Sequence, residues 1–337
     1  MRTAVWYNNR DIRIEETDRP EPGPGEMLVK ILACGICGSD IVEWYRLPRA
    51  PLVPGHEIGG EVVKTGNSVK RFKPGDRVFI APKIPCLQCD YCRAGHYPVC
   101  PHVKERLPGG FAEFIRVPDT LVEGGTYKLS EAISTDESTF IEPLACVVRA
   151  QKLARVADRQ TLLIFGCGMS GLLHIKLAKA SGCRVVAVDI RSQRLDWATR
   201  CGADIVLNAS EDVPGRLLAE NGLKADGIIL CTSAVSAVEQ AWQCVDKGGC
   251  IVFFAVPAPG KQVTVPINDF WMNEVAILTS YYCGPPDIVQ AIELLANHAI
   301  QVDDLITHRL PLADIARGFE LVLEGTESVK VIINPND

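Results

Sequence analysis

The run Thr161-Leu162-Leu163-Ile164-Phe165-Gly166-Cys167-Gly168-Met169-Ser170-Gly171 decides how the second half of this chain folds. Five apolar residues read as a buried strand, the glycine turn follows at once, and a helical stretch runs on through about Ala180. A G-x-G-x-x-G match alone carries little. Here strand, turn and helix stand in the order a dinucleotide site needs, and a second strand, Arg184 to Asp189, ends in an acid eighteen residues past Gly171. Gly166, Gly168 and Gly171 would let the backbone turn and approach a pyrophosphate, with Met169 and Ser170 at the helix N-terminus offering free N–H groups. Asp189 would accept hydrogen bonds from the adenosine ribose and repel a 2′-phosphate, which favours NAD over NADP. Arg191, two positions on, could instead receive that phosphate.

Working outward, more apolar runs alternate with helical stretches at Asp204 to Leu207, Asp226 to Cys231 and Gly249 to Ala255, with a further strand near Ala276 to Tyr282. Continuous apolar runs between helices predict a parallel sheet covered on both faces. After Pro285-Pro286 the pattern predicts a helix over 287–297, a strand from Leu305 to Leu310, a helix near 312–323 and a last strand, Val329 to Ile333. Before about residue 145 the texture differs. Short alternating runs such as Leu28 to Ile31, Glu61 to Lys64 and a strand opening at Gly75-Asp76-Arg77-Val78 predict a small barrel, entered after the Pro20 to Gly25 loop.

That first segment carries two groups of metal ligands. Cys34-Gly35-Ile36-Cys37-Gly38-Ser39-Asp40 and Pro54-Gly55-His56-Glu57 supply a thiolate at Cys37, an imidazole at His56 and a carboxylate at Glu57, three ligand types that zinc accepts with a position left open. Each is common as a purely structural residue. Glu142, in Ile141-Glu142-Pro143-Leu144, falls at the junction of the two textures. It is a fourth ligand, a group exchanging with Glu57 or water, a group that touches the ligands from behind, or an ordinary helix-start acid with Pro143 at the first helical position. The second group is Cys86, Cys89, Cys92 and Cys100: four thiolates at a spacing that closes a tetrahedral structural zinc site, with an iron–sulfur cluster as the competing reading.

Length and composition agree with this division. The 337 residues, 47% hydrophobic and 23% charged, suit two soluble domains. A net charge of -6 argues against nucleic acid or an anionic membrane as the partner and leaves a small molecule. No apolar run spans a bilayer and the N-terminus lacks a secretory signal, so a cytoplasmic location is expected and the fourteen cysteines read as thiols and metal ligands. Cys183, Cys231 and Cys250 read as small core residues.

Taken together, Gly35 to Asp40, Gly55 to Glu57, Gly75 to Val78, the Cys86/Cys89/Cys92/Cys100 lobe, Glu142-Pro143-Leu144 and Gly166 to Gly171 resemble the zinc-dependent medium-chain dehydrogenase/reductase family over essentially the whole chain, and within it the polyol and sugar dehydrogenases. The resemblance implies an α/β protein: a GroES-like β-barrel catalytic domain over 1–145 with a zinc lobe at about 86–100, a Rossmann domain over 146–284, and a segment over 285–337 completing the first domain. It also implies two zinc ions per chain and hydride transfer from a secondary hydroxyl of a polyol, sugar or cyclitol to NAD. The catalytic zinc would fall on Cys37, His56 and a carboxylate from Glu57 or Glu142, with the proton leaving through Ser39. Simple-alcohol enzymes of the family carry a cysteine where this chain has Glu142. Many relatives place a relay histidine just after the Ser-Asp pair; here Ile41-Val42-Glu43 stands there, leaving Glu43 or water. Trp44, Tyr45, Arg46 and Arg49 would lie near the substrate mouth, the arginines as anion receptors or as solvated loop residues. A homodimer or homotetramer is expected, paired through the strand near Ala276. Other readings stay open: a threonine or simple secondary-alcohol dehydrogenase, a dehydrogenase of phosphorylated or amino-substituted cyclitols, and a non-catalytic zinc and nucleotide binding protein.

Overall fold

A computed structural model describes residues 1–103 and 105–337. The chain forms two compact units, one of Met1–Ala145 with Cys283–Asp337 and one of Cys146–Tyr282.

The second unit is built on six parallel strands, in the spatial order Ile205–Asn208, Arg184–Asp189, Thr161–Phe165, Ala225–Leu230, Val245–Phe253 and Ala276–Thr279. Numbered along the unit, that order is 3-2-1-4-5-6, the doubly wound arrangement. Thr161–Phe165 is buried at every position, with strands paired on both sides and the helix Met169–Ala180 packed against it. One face of the sheet packs Leu163, Phe165, Val186, Val188, Ile228, Leu230 and Ile251 into a single core. Strand order reverses between Thr161–Phe165 and Ala225–Leu230, the place where such sheets open a crevice at their carboxyl ends. The apolar runs each become a strand, with shifted ends: Gly249 to Ala255 lies within and just beyond Val245–Phe253, and the edge strand stops at Thr279 rather than Tyr282.

The first unit holds a seven-stranded sheet. Its hydrogen-bonded path runs Ile306–Pro311, Lys330–Asn334, Met27–Gly35, Glu57–Thr65, Arg77–Ile80 and Thr126–Lys128, with Phe114–Val117 also pairing on Met27–Gly35. Lys330–Asn334 comes last in the sequence yet lies antiparallel to Met27–Gly35, pairing Ile332 with Gly35. The helix expected over 312–323 is a short 3-10 turn, Leu312–Asp314, followed by a helix, Ile315–Glu324, which stops where Gly325 takes the left-handed conformation.

Two local readings change. The helix carrying Glu142 begins at Ile141, so Pro143 is its third residue and not its first; Pro is still accommodated, because the first N–H groups of a helix have no partner within it. Of the three cysteines expected in the core, Cys183 is buried, whereas Cys231 and Cys250 are half-buried. Among the described residues no helix is long and apolar enough to cross a membrane.

Candidate active site

Strand pairing brings the open metal site together. Met27–Gly35 and Glu57–Thr65 lie antiparallel with Gly35 opposite Glu57, so Cys37, two residues past the end of one strand, meets His56 and Glu57 at the start of the other. Ligand atoms of Cys37, His56 and Glu57 all lie within 4.8 Å of one another. Glu142 is buried in the first turn of its helix and is not a member of that group.

The backbone after Cys37 turns into a short 3-10 segment, Gly38–Ile41, and the Ser39 N–H donates to Cys37 Sγ at 3.4 Å. Asp40, 1% exposed, faces His56 from behind: its Oδ1 lies 3.4 Å from His56 Nδ1, and its Oδ2 accepts from the Cys37 N–H at 3.1 Å. A carboxylate on Nδ1 leaves Nε2 for a metal. Burial alone would raise the Asp40 carboxyl, but the attraction of His56, their hydrogen bond and Arg46 outweigh it and hold it below the ordinary carboxylate range. His56 is the mirror case. Burial pulls it down, yet Asp40 and Cys37 lift it well above the usual imidazole value.

Glu57 is fully buried, and its Oε2 accepts from Lys330 Nζ at 2.5 Å. Its other oxygen, Oε1, is buried with no hydrogen-bond partner. A buried orphan carboxylate oxygen beside a thiol and an imidazole is what a missing cation leaves behind, so these residues fit zinc. Gly35 is required here, since a Cβ at that position would fall on Glu57 Oε2 and Lys330 Nζ.

The four-cysteine lobe fits a second ion. Cys86 Sγ lies 3.9 Å from Cys92 Sγ, and Cys89 Sγ lies 3.9 Å from Cys100 Sγ. Sulfurs around one tetrahedral ion with bonds of about 2.3 Å stand about 3.8 Å apart, whereas a disulfide would bring two of them to about 2 Å. An iron–sulfur cluster would spread the sulfurs more widely. Backbone N–H groups of Gln88 and Cys89 help to pull the Cys86 thiol down to about 6.

In the second unit the glycine loop closes as its residues require. Gly166 has φ +93°, and a Cβ there would meet the Cys231 carbonyl at 3.0 Å; a Cβ on Gly171 would fall on the Gly166 carbonyl oxygen. The first bond of the helix ladder, from Leu172 N–H to Gly168 O, is 2.9 Å long, so the N–H groups of Met169, Ser170 and Gly171 precede it. A Cβ on Gly168 would meet nothing within 4 Å: open space lies where a phosphate needs it. Asp189 stands at the end of its strand, its Oδ2 accepting from the Cys167 N–H at 2.7 Å and its Oδ1 from the Arg191 N–H at 2.9 Å. Arg191 is exposed just beyond.

Residues 23–124 match the alcohol dehydrogenase GroES-like domain, and residues 171–297 match the zinc-binding dehydrogenase model. The chain is 32% identical to an erythritol/L-threitol dehydrogenase of Mycolicibacterium smegmatis, covering 99% of this chain and 98% of that protein. The chain belongs to the zinc-dependent medium-chain dehydrogenases, in the polyol branch. Human sorbitol dehydrogenase is likewise 32% identical over 99% of this chain and 96% of its own length. The crystal structure of 2R,3R-butanediol dehydrogenase from Bacillus subtilis superposes with a TM-score of 0.88 at 27% identity, covering 99% of both chains. This dehydrogenase is therefore an oxidoreductase of CH–OH groups that uses zinc and a nicotinamide dinucleotide.

Two side chains of the dehydrogenase site went without a role in the sequence reading, and a third changes its role. Lys330 stands among the apolar residues of a final strand, and a lone lysine in such a run is the signal that could have marked it. Asp40 was one residue of a motif without a role. Arg46, left open between anion receptor and solvated loop residue, is neither: its side chain is 11% exposed and committed to Asp40. Glu43, read as a relay substitute, is exposed, and its Oε1 accepts from the Asn9 N–H at 3.1 Å. Arg49 is exposed, stacks over the Tyr45 ring at 4.5 Å and donates to the Tyr45 carbonyl.

Proposed function

We propose that this dehydrogenase oxidises a secondary hydroxyl of an uncharged polyol, sugar or cyclitol to a ketone with NAD, using Cys37, His56 and Glu57 as ligands of the reactive zinc. The observation that carries the reading is the convergence of those three ligand atoms within 4.8 Å beside an orphan Glu57 oxygen. When bound, zinc polarises a hydroxyl oxygen and the nicotinamide accepts hydride. Ser39, next but one to Cys37, relays the hydroxyl proton: its Oγ accepts it as its own hydroxyl hydrogen passes to water. Asp40 keeps the His56 ring oriented, and the glycine loop with Met169 and Ser170 receives the pyrophosphate. Asp189 favours NAD, and Glu142 tunes the site without belonging to the three-ligand group. Cys86, Cys89, Cys92 and Cys100 hold the structural zinc.

A neutral substrate is favoured because Arg46, the most buried cation of the mouth segment, already has a carboxylate. The named activities of the relatives, on erythritol, threitol, sorbitol and butanediol, point to the same class. The test is an NAD-coupled panel of tetritols, hexitols, cyclitols, threonine, secondary monoalcohols and sugar-alcohol phosphates, run beside metal analysis. Two zinc ions per chain and turnover on vicinal diols support the reading. One ion per chain, or turnover confined to threonine or monoalcohols, overturns it.

Two copies would pair through the edge strand Ala276–Thr279, which ends the sheet and lies close in sequence to the exposed Trp271, Met272 and Tyr281. Sedimentation of an Ile277→Lys variant tests this, with a monomer expected. Fourteen cysteines that read as thiols and metal ligands suit a reducing, cytoplasmic setting.

A further inference from the structure

Arg46 closes a four-residue helix, Glu43–Arg46, whose Trp44 and Tyr45 face solvent while the guanidinium turns inward. One terminal nitrogen, Nη2, lies 2.6 Å from Asp40 Oδ1 and 3.3 Å from Ser39 Oγ, and Nε donates to the Ser39 carbonyl at 3.1 Å. The same Asp40 carboxylate faces His56 Nδ1 and accepts from the Cys37 N–H. A single cation therefore touches the hydroxyl that relays the substrate proton and the carboxylate that orients a metal ligand.

We propose that Arg46 is a positioning residue that locks the metal centre and the proton-accepting hydroxyl into one geometry. The proposal rests on reading Cys37, His56 and Glu57 as the zinc ligands. An imidazole bound to zinc is neutral, so it cannot be the counter-charge of Asp40. A carboxylate that is 1% exposed is stable only with a fixed partner, and Arg46 supplies it. Held there, Asp40 keeps its oxygen on the His56 ring and so keeps Nε2 aimed at the ion. Ser39 is constrained by the same group. Its Oγ accepts from Arg46, which turns the hydroxyl hydrogen away from the arginine, while the bond to its carbonyl fixes the backbone beneath it. A planar fork satisfies these acceptors together; the point charge of a lysine ammonium does not.

The experiment uses the full-length zinc-loaded protein and its Arg46→Met, Arg46→Lys, Asp40→Asn and Cys37→Ser variants. Zinc release to a chelator is followed with a chromophoric indicator, and kcat and KM are measured with saturating zinc. Arg46→Met should release one of its two ions about 10- to 100-fold faster than wild type, with Arg46→Lys between them. The ion on the four cysteines should leave at the wild-type rate, which reports that the fold is intact. With zinc saturating, kcat should fall about tenfold while KM changes less than about threefold, since the guanidinium is committed to Asp40 and Ser39. Wild-type zinc release and kcat in a folded Arg46→Met protein overturn the proposal. A rise in KM alone also does so, by making Arg46 a substrate-binding group. If Arg46→Met fails to fold, Arg46→Lys and Asp40→Asn decide by the same readouts. Retention of both ions by Cys37→Ser would instead sink the metal-site reading itself, whatever Arg46 does.

Discussion

Lys330 Nζ lies 2.5 Å from Glu57 Oε2, and neither side chain is exposed. The two are 273 residues apart, and the ammonium also donates to the Thr139 carbonyl at 3.0 Å and sits 4.7 Å from the Phe140 ring centroid. Removing one member of such a pair strands a buried charge, which costs about 3–5 kcal/mol. Lys330→Met should therefore lower the unfolding stability of zinc-free protein by about that much, relative to zinc-free wild type, in urea titration. Adding Glu57→Gln should recover part of the loss and remove the reactive zinc, as metal analysis would show. A Lys330→Met protein as stable as wild type would mean that the pair contributes nothing net.

The lobe and the open site make separable predictions. Cys100→Ser should reduce zinc from two ions to one per chain and open the lobe to limited proteolysis, because three thiolates no longer close a tetrahedron. Cys37→Ser should also lose one ion, but leave the lobe protease-resistant and NADH binding intact. Equal proteolysis of the two variants would show that the lobe does not need its metal.

Gly168 separates folding from cofactor binding. Its backbone, φ -72° and ψ -176°, suits any residue, and a Cβ there meets nothing in the protein. Gly168→Ala should leave the melting temperature within about 2 °C of wild type, as expected for a change that removes no contact. It should nonetheless weaken NADH by roughly tenfold or more in fluorescence titration, because the methyl enters the space left for the pyrophosphate. Gly171→Ala should fail differently, losing stability as well, since its Cβ meets the Gly166 carbonyl.

Acid should unfold this protein partly through His174. The ring is fully buried with its edge against Phe254, Gln151 Nε2 lies 3.2 Å from Nδ1, and Nε2 has no partner. Burial depresses it to about 3 from an ordinary value of 6.5. The folded state thus binds fewer protons than the unfolded one between those values. Its share of stability is complete above about pH 6.5 and declines as pH falls toward 3, by up to tenfold in the folding equilibrium per pH unit. Urea titrations at pH 7.5 and 5.5 should show wild type losing more than His174→Gln. Identical losses would place the acid sensitivity elsewhere.

Most of the fold and part of the site could be read along the chain because their causes are local. A glycine turn between strand and helix, four cysteines within fifteen residues, and apolar runs between helices impose their structure at short range. Cys37, His56 and Glu57 could be nominated on the same basis, because ligand type and adjacent glycines are sequence properties. What needed the folded molecule was the choice among carboxylates and cations. Opposed strands put Glu57 beside Cys37 and His56, a last strand carried Lys330 back to Glu57, and a short helix turned Arg46 inward while leaving Arg49 in solvent. Residue identity sets what a side chain can bind; which partner it meets is settled by pairing between distant segments, because a buried charge is tolerated only where the rest of the chain delivers its opposite.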